Sequence, residues 1–162
     1  IMADRAQRIN PACRAEVIKT FYHPGDVDFI RNLHADFVID AIDDVPAKIS
    51  IAQICSLLRV AEASSMGTGN RLHPEQLEIG DIYKTSVCPM ARKIRKALKV
   101  LKVPHLTVVF SKEQPRRPIG EGHAPGSISF VPPAAGMILA GIAVRTMLAQ
   151  KESYDEIQDS AP

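Results

Sequence analysis

The sequence predicts an α/β domain, half of a doubly wound, mostly parallel sheet with flanking helices. Two observations carry this. From Arg14 to Met66, segments with strand and helix patterns alternate with short connections, an order that requires parallel strands joined by right-handed crossovers. The 162 residues are 46% hydrophobic, enough for one domain with a real core. With 5% aromatics and no Trp, that core is aliphatic.

The elements follow in order. Ile1, Met2, Arg5 and Ile9 have the spacing of an amphipathic helix that Asn10-Pro11 stops. It opens without a cap, which suggests further sequence upstream. "RAEVIKTFY" (Arg14–Tyr22) reads as a strand, and Pro24–Leu33 as a short helix with Gly25 or Asp26 near its cap. "DFVIDAID" (Asp36–Asp43) is nearly all apolar, as in a strand buried on both faces. "PAKISIAQICSLLRV" places Pro46 in a first helical turn and Ile51, Ile54, Cys55 and Leu58 on one face. "RVAEASSM" is the third strand.

After Pro74 the pattern changes. "EQLEIGDIY" alternates like a half-exposed strand, and a helix runs from Pro89 to about Val103. Its inner face carries Met90, Ile94, Ala97, Leu98 and Leu101. His105–Glu113 is a strand, and Gln114–Gly126 is a mobile loop rich in Pro, Gly and Arg. "SISFVP" returns as a strand before a helix over Pro133–Ala149. Residues 1–150 thus form the domain and 151–162 a frayed polar tail.

Bulk properties narrow the function. A net charge of +2 is too small to imply nucleic-acid binding without local clustering. Cys13, Cys55 and Cys88 form no Cys-x-x-Cys, against a disulfide framework or a four-cysteine zinc site and for a reducing cytoplasm. Asp4, Arg5 and Arg8 stand where a secretory signal needs an apolar core. The apolar run from Pro132 to Val144 is shorter than the roughly 20 residues of a membrane span, so a buried helix and no membrane are expected.

Ligands of open α/β sheets bind beyond the carboxyl ends of the parallel strands. Asp43 and Asp44 fall there. A carboxylate at that place holds Mg²⁺ and bridges it to phosphates, or else Asp44 caps the helix and Asp43 is a turn residue. Asp40, within the strand, reads as buried and structural. Met66-Gly67-Thr68-Gly69 ends the third strand with a glycine pair reminiscent of a phosphate loop. A strand follows it, whereas a phosphate cradle needs the amides of a helix N-terminus. It therefore reads as a turn that lets backbone approach a ligand.

Cys88 precedes Pro89 and so takes a helix cap, where the dipole favours thiolate; it is either a reactive thiol or an inert half-buried one. The five histidines share no metal spacing. Arg92, Lys93, Arg95, Lys96, Lys99 and Lys102, with Arg116 and Arg117, form the main charge cluster. It is either a solvated helix face or a track for a phosphate backbone.

Four stretches together carry a resemblance: "QRINPACRAEV", "DFVIDAIDDVPAKISI", "SSMGTGNRLHPEQLEIGDIYKTSVCPMARKIRKAL" and "SFVPPAAGMILAGIAVRTML". They resemble the E1-like (ThiF/MoeB/HesA) adenylating enzymes, closest to the branch that dehydrates threonylcarbamoyladenosine in tRNA. The resemblance reaches to about Gln150. It implies a Rossmann-like fold, a homodimer, and adenylation of a carboxylate with ATP and Mg²⁺, here the threonylcarbamoyl group on a tRNA adenosine. AMP then leaves as the ring closes. The second Asp of the family's Asp-x-x-Asp pattern, the Mg²⁺ and ATP carboxylate, matches Asp43. Asp44 adjoins it, and Lys48 matches a position often Lys in this branch.

In the same reading Met66, Gly67, Thr68 and Gly69 wall the substrate crevice, and the basic helix with Arg116 and Arg117 contacts tRNA. The lack of a four-cysteine zinc motif sets the chain apart from members that activate ubiquitin-like sulfur carriers. The family's Gly-x-Gly-x-x-Gly loop, ribose-binding acid and further phosphate contacts would all precede "RINP". The resemblance thus covers a C-terminal portion, with the N-terminal nucleotide-binding half missing, and implies that the chain alone neither adenylates nor binds ATP tightly. Two alternatives are activation of a carrier protein, with a sulfur-transfer partner and Cys88 as thiol, and a non-catalytic interaction or dimerisation domain.

Overall fold

The computed structural model describes residues 1–116 and 125–159, with side chains through residue 152. Four strands form one sheet: β1 (Phe37–Asp40), β2 (Ala61–Ser65), β3 (Leu77–Asp81) and β4 (Thr107–Ser111). Their spatial order is β1-β2-β4-β3. β1, β2 and β4 run parallel, and β3 pairs antiparallel with β4 at the far edge. The helices are α1 (Met2–Ile9), α2 (Val27–Asn32), α3 (Val45–Leu58), α4 (Pro89–Val100) and α5 (Val131–Asp159). This is the mostly parallel α/β architecture that the alternating elements predict.

The period-2 alternation of the strands divides the core. Val108 and Phe110 of β4 point to the layer of α4, where they meet Ile94 and Leu98. Val109 and the Ala63 of β2 point to the other layer and meet Ala135, Leu139 and Ile142 of α5. A third cluster joins α2 to α3 through Ile30, Ile51, Ile54 and Cys55. The small residues of β2 (Ala-Glu-Ala-Ser-Ser) let helices approach both faces of the sheet.

Local signals explain the helix limits. Asp26 caps α2 by accepting from the Phe29 N–H, and Asp44 caps α3 by accepting from the Ala47 N–H at 2.8 Å. Pro46 and Pro89 occupy first-turn positions, where a missing N–H costs nothing. α3 ends at Arg59, whose backbone is left-handed at φ 57° and whose N–H bonds back to Cys55 and Ser56.

Several expectations need correction. Arg14–Tyr22 is not a strand. Val17, Ile18 and Phe21 are left in solvent, with Phe21 88% exposed, because among the described residues no strand lies beside the free edge of β1 to pair with it. That edge position also defeats full burial of β1: Ile39 is 46% exposed. "SISFVP" runs as coil and turn straight into α5. α4 stops at Val100, so Leu101 lies past its end and is exposed. α5 continues through Asp159 and takes in most of the segment read as a frayed tail.

By length and composition α5, over Val131–Glu152, is apolar enough to cross a membrane. It packs Val131, Ala135 and Leu139 into the core, while Met137, Val144 and Leu148 face outward. The helix read as buried is therefore buried along one face only.

Candidate functional site

The carboxyl ends of β1 and β2 open into a cavity of about 460 Å³. Its walls are the turn after β1 (Ala41 to Asp43), the segment Ser65 to Arg71, the start of α4 (Cys88 to Met90) and the segment Pro125 to Ser127.

Beneath this cavity the parallel register sets Asp40 opposite Ser64. One turn into α3, Lys48 reaches back so that its Nζ donates to Asp40 Oδ2 at 3.0 Å and to Ser64 Oγ at 3.2 Å. Ser64 Oγ donates in turn to Asp40 Oδ2 at 2.6 Å, and the Ile42 N–H donates to Asp40 Oδ1 at 3.0 Å. Asp40 and Lys48 are both 2% exposed. The ion pair thus ties the end of β1 to α3 and holds the turn that carries Asp43. Lys48, expected as a cofactor contact, lines the cavity but spends its donors on Asp40 and Ser64.

Glu62 lies beside this pair. Burial, then the Asp40 carboxylate, push its carboxyl up to about 8 against the opposing pull of Lys48. Its Oε1 is buried without a hydrogen-bond partner. Burial and the nearby Glu62 also push the Cys55 thiol up to about 12, so Cys55 is an inert core thiol.

The two aspartates of the turn part company. Asp44 is committed to capping α3. Asp43 is exposed, lines the cavity, and makes no hydrogen bond or ion pair among the described residues. A free carboxylate at a cavity wall suits Mg²⁺, which binds through one or two carboxylates and shares its remaining positions with phosphates and water. Among the described residues, no group of three or more acidic, His or Cys side chains is arranged to hold a metal ion.

The opposite wall begins at Met66, buried and fixed by its N–H to the Val109 carbonyl at 2.8 Å. A 3-10 turn (Pro74–Gln76) and then β3 follow this stretch, so it does not lead into an α-helix as a phosphate loop does. A Cβ at Gly69 would sit 2.8 Å from Pro125 Cβ, so only glycine lets the two walls meet there. Asn70 adopts a left-handed φ of 57°. Its N–H donates to the Gly126 carbonyl at 2.8 Å, its Oδ1 accepts from the Gly126 N–H at 2.6 Å, and its carbonyl accepts from the Arg116 N–H at 2.9 Å. Both stems of the Gln114–Gly126 loop are therefore fastened to one residue. Residues 117–124, Arg117 among them, lie outside the described residues.

Next to Asn70, Arg71 is 2% exposed, lines the cavity, and has both Nε and Nη1 buried without a partner. The neighbouring Glu113 accepts from the N–H groups of Leu72 (2.9 Å) and His73 (3.0 Å). Burial raises its carboxyl, but those donors and the charges of His73 and Arg71 outweigh it and hold Glu113 below its ordinary value. The sequence reading missed both Asn70 and Arg71. Asn directly after the glycine pair, a residue type that tolerates left-handed backbone, was the one available signal.

Cys88 caps α4 as expected, its sulfur accepting from the Ala91 N–H at 3.5 Å. It is 4% exposed and packs in the core cluster with Met66, which suits a structural thiol. The charged face of α4 also divides. Arg95 turns back and donates through Nη1 to the Thr85 carbonyl (3.0 Å) and hydroxyl. Arg92, Lys96, Lys99 and Lys102 are exposed and line a basic groove with Tyr83. Arg116 extends from a loop stem, with Nε 4.0 Å from Glu113.

Fold and site define an open α/β domain whose crevice, at the ends of parallel strands, pairs a free carboxylate with a buried guanidinium. No family model matches the chain. The tRNA threonylcarbamoyladenosine dehydratase of Bacillus subtilis (strain 168) is 32% identical over 168 residues, covering 94% of this chain and 66% of that protein. The protein of the same name from Escherichia coli (strain K12) is 34% identical over 99 residues, 61% of this chain and 37% of that one. Crystal structures of the E. coli dehydratase TcdA superpose with a TM-score of 0.83, at 29% identity for the AMP complex and 28% for the ATP complex. Each superposition covers 94% of this chain and 64% of that one. The chain is similar in sequence and fold to the tRNA threonylcarbamoyladenosine dehydratases, enzymes of the E1-like, ThiF-type family. It spans just under two thirds of the B. subtilis relative.

Proposed function

We propose that this chain carries the substrate side of an ATP-dependent dehydratase acting on threonylcarbamoyladenosine in tRNA. The observation that carries the reading is the placement of Asp43: exposed, unpaired, and on the wall of the strand-end cavity. In the proposed reaction a carboxylate oxygen of the threonylcarbamoyl group attacks the α-phosphate of ATP and pyrophosphate leaves. An internal nucleophile of the same group then closes the ring on the activated carbonyl and releases AMP. ATP supplies the activation, and Mg²⁺ at Asp43 would offset the charge on the phosphates.

The residues of this chain act around those steps. The Lys48–Asp40–Ser64 network holds the Asp43 turn in place. Gly69 lets the Ser65–Arg71 wall close against Pro125, and the buried Met66 keeps water from one side of the crevice. Arg92, Lys96 and Lys99 follow Met90, the last α4 residue to line the cavity, along the next two to three turns of the helix, a suitable track for tRNA phosphates leading to the crevice. A reducing cytoplasmic setting and a homodimer fit the same reading.

The test is Asp43→Asn in the intact protein, assayed by ATP–pyrophosphate exchange in the presence of the tRNA substrate. Loss of a metal-binding carboxylate predicts a fall of about 10²–10³ in rate with an unchanged unfolding transition. Full exchange in that variant would remove Asp43 from the reaction.

A further inference from the structure

Arg71 has no part in the reaction as described so far. A guanidinium buried to 2% exposure with Nε and Nη1 unpaired is costly, because desolvated donors have lost water without gaining an acceptor. The surroundings do not relieve that cost. Glu113, the carboxylate close enough to feel its charge, has turned its oxygens to the N–H groups of Leu72 and His73. Those bonds anchor the chain just after Arg71, and the Asn70 bonds to Gly126 and Arg116 anchor it just before. The guanidinium is therefore held in place at the cavity wall with Nε and Nη1 buried and unpaired.

The unpaired donors make the group chemically specific. The planar N–H donors of a guanidinium match the oxygens of a carboxylate or a phosphate, which a point charge does not. We propose that the Arg71 guanidinium, with Nε and Nη1 unpaired, binds an oxyanion in the cavity, with Asp43 on the facing wall reserved for cation. The ligand is one of the two oxyanions of the adenylation reading, on which this inference rests: the acyl carboxylate or a phosphate of the nucleotide.

Thermal unfolding of the intact protein tests it without requiring turnover. The parent, Arg71→Met and Arg71→Lys are compared in inorganic phosphate, acetate and chloride at equal ionic strength. A bound oxyanion stabilises by mass action, so the parent gains Tm in phosphate or acetate over chloride. Arg71→Met loses that gain, and Arg71→Lys keeps part of it as a point charge. Since Arg71→Met removes an unpaired buried charge, its own Tm in chloride is equal to or above that of the parent.

A gain confined to phosphate assigns the nucleotide, and one with acetate assigns the acyl carboxylate. In turnover, Arg71→Met then raises KM for the matching substrate about 10- to 100-fold, the worth of a charge-assisted hydrogen bond, and leaves the other KM unchanged. No anion-specific gain in the parent overturns the proposal, and so does an undiminished gain in Arg71→Met. If Arg71→Met does not fold, Arg71→Lys decides: an undiminished gain there overturns it too. Because these shifts need no adenylation, they are separable from the outcome with Asp43→Asn.

Discussion

Among single residues, those nearest the cavity differ most in how they could be foreseen. Asp44 was legible because an N-cap is a local device, set by the residue and the three that follow it. Lys48 was flagged without a role, since its partners come from Asp40, eight residues back, and Ser64, sixteen ahead; only the parallel register brings them together. Arg71 was invisible because what distinguishes it is a missing partner. Glu62 yields a prediction at this scale. Its carboxyl, ordinarily near 4.5, is pushed up to about 8 by burial and by Asp40. Between those values the folded protein keeps a proton that the unfolded chain has lost, so stability falls as pH rises through the window. Glu62→Gln is expected to flatten that part of the stability-versus-pH curve and to raise stability above pH 8. Urea unfolding of both proteins from pH 5 to 9 checks this, and identical slopes would refute it.

At the level of elements, α4 was the most legible. Its 3.6-residue period sorts Ile94 and Leu98 inward and Arg92, Lys96 and Lys99 outward. The pattern could not show that Arg95, on the same charged face, is spent on Thr85. The double change Lys96→Glu and Lys99→Glu is therefore expected to weaken tRNA binding, most strongly at low salt, and to reduce the dependence of affinity on salt. Filter binding across a salt series measures it, and an unchanged salt slope would remove this face from the tRNA path. Arg14–Tyr22 shows the opposite case. Strand propensity describes fit to a pleated surface beside a neighbour, and among the described residues no strand lies beside this segment.

Across the whole molecule, the strand–helix alternation made the parallel core readable from Asp36 onward. The place of β3 was not readable, because nothing local states that it pairs with β4 and not with β2. The chain contains no Gly-x-Gly-x-x-Gly turn, the device that sets a helix N-terminus against phosphates. Residues 1–162 alone are accordingly expected to bind Mg-ATP more weakly than micromolar, and isothermal titration measures it. Micromolar affinity would relocate the nucleotide site into this chain.

The fastening of Arg116 and Gly126 to Asn70 has a consequence for how such a protein can diversify. With both stems closed on one residue, the number of residues between them is uncoupled from the shape of the crevice. Added length there costs only a slowly growing closure entropy. Insertions, deletions or a grafted recognition sequence can accumulate in that span while the chemistry below it stays as built.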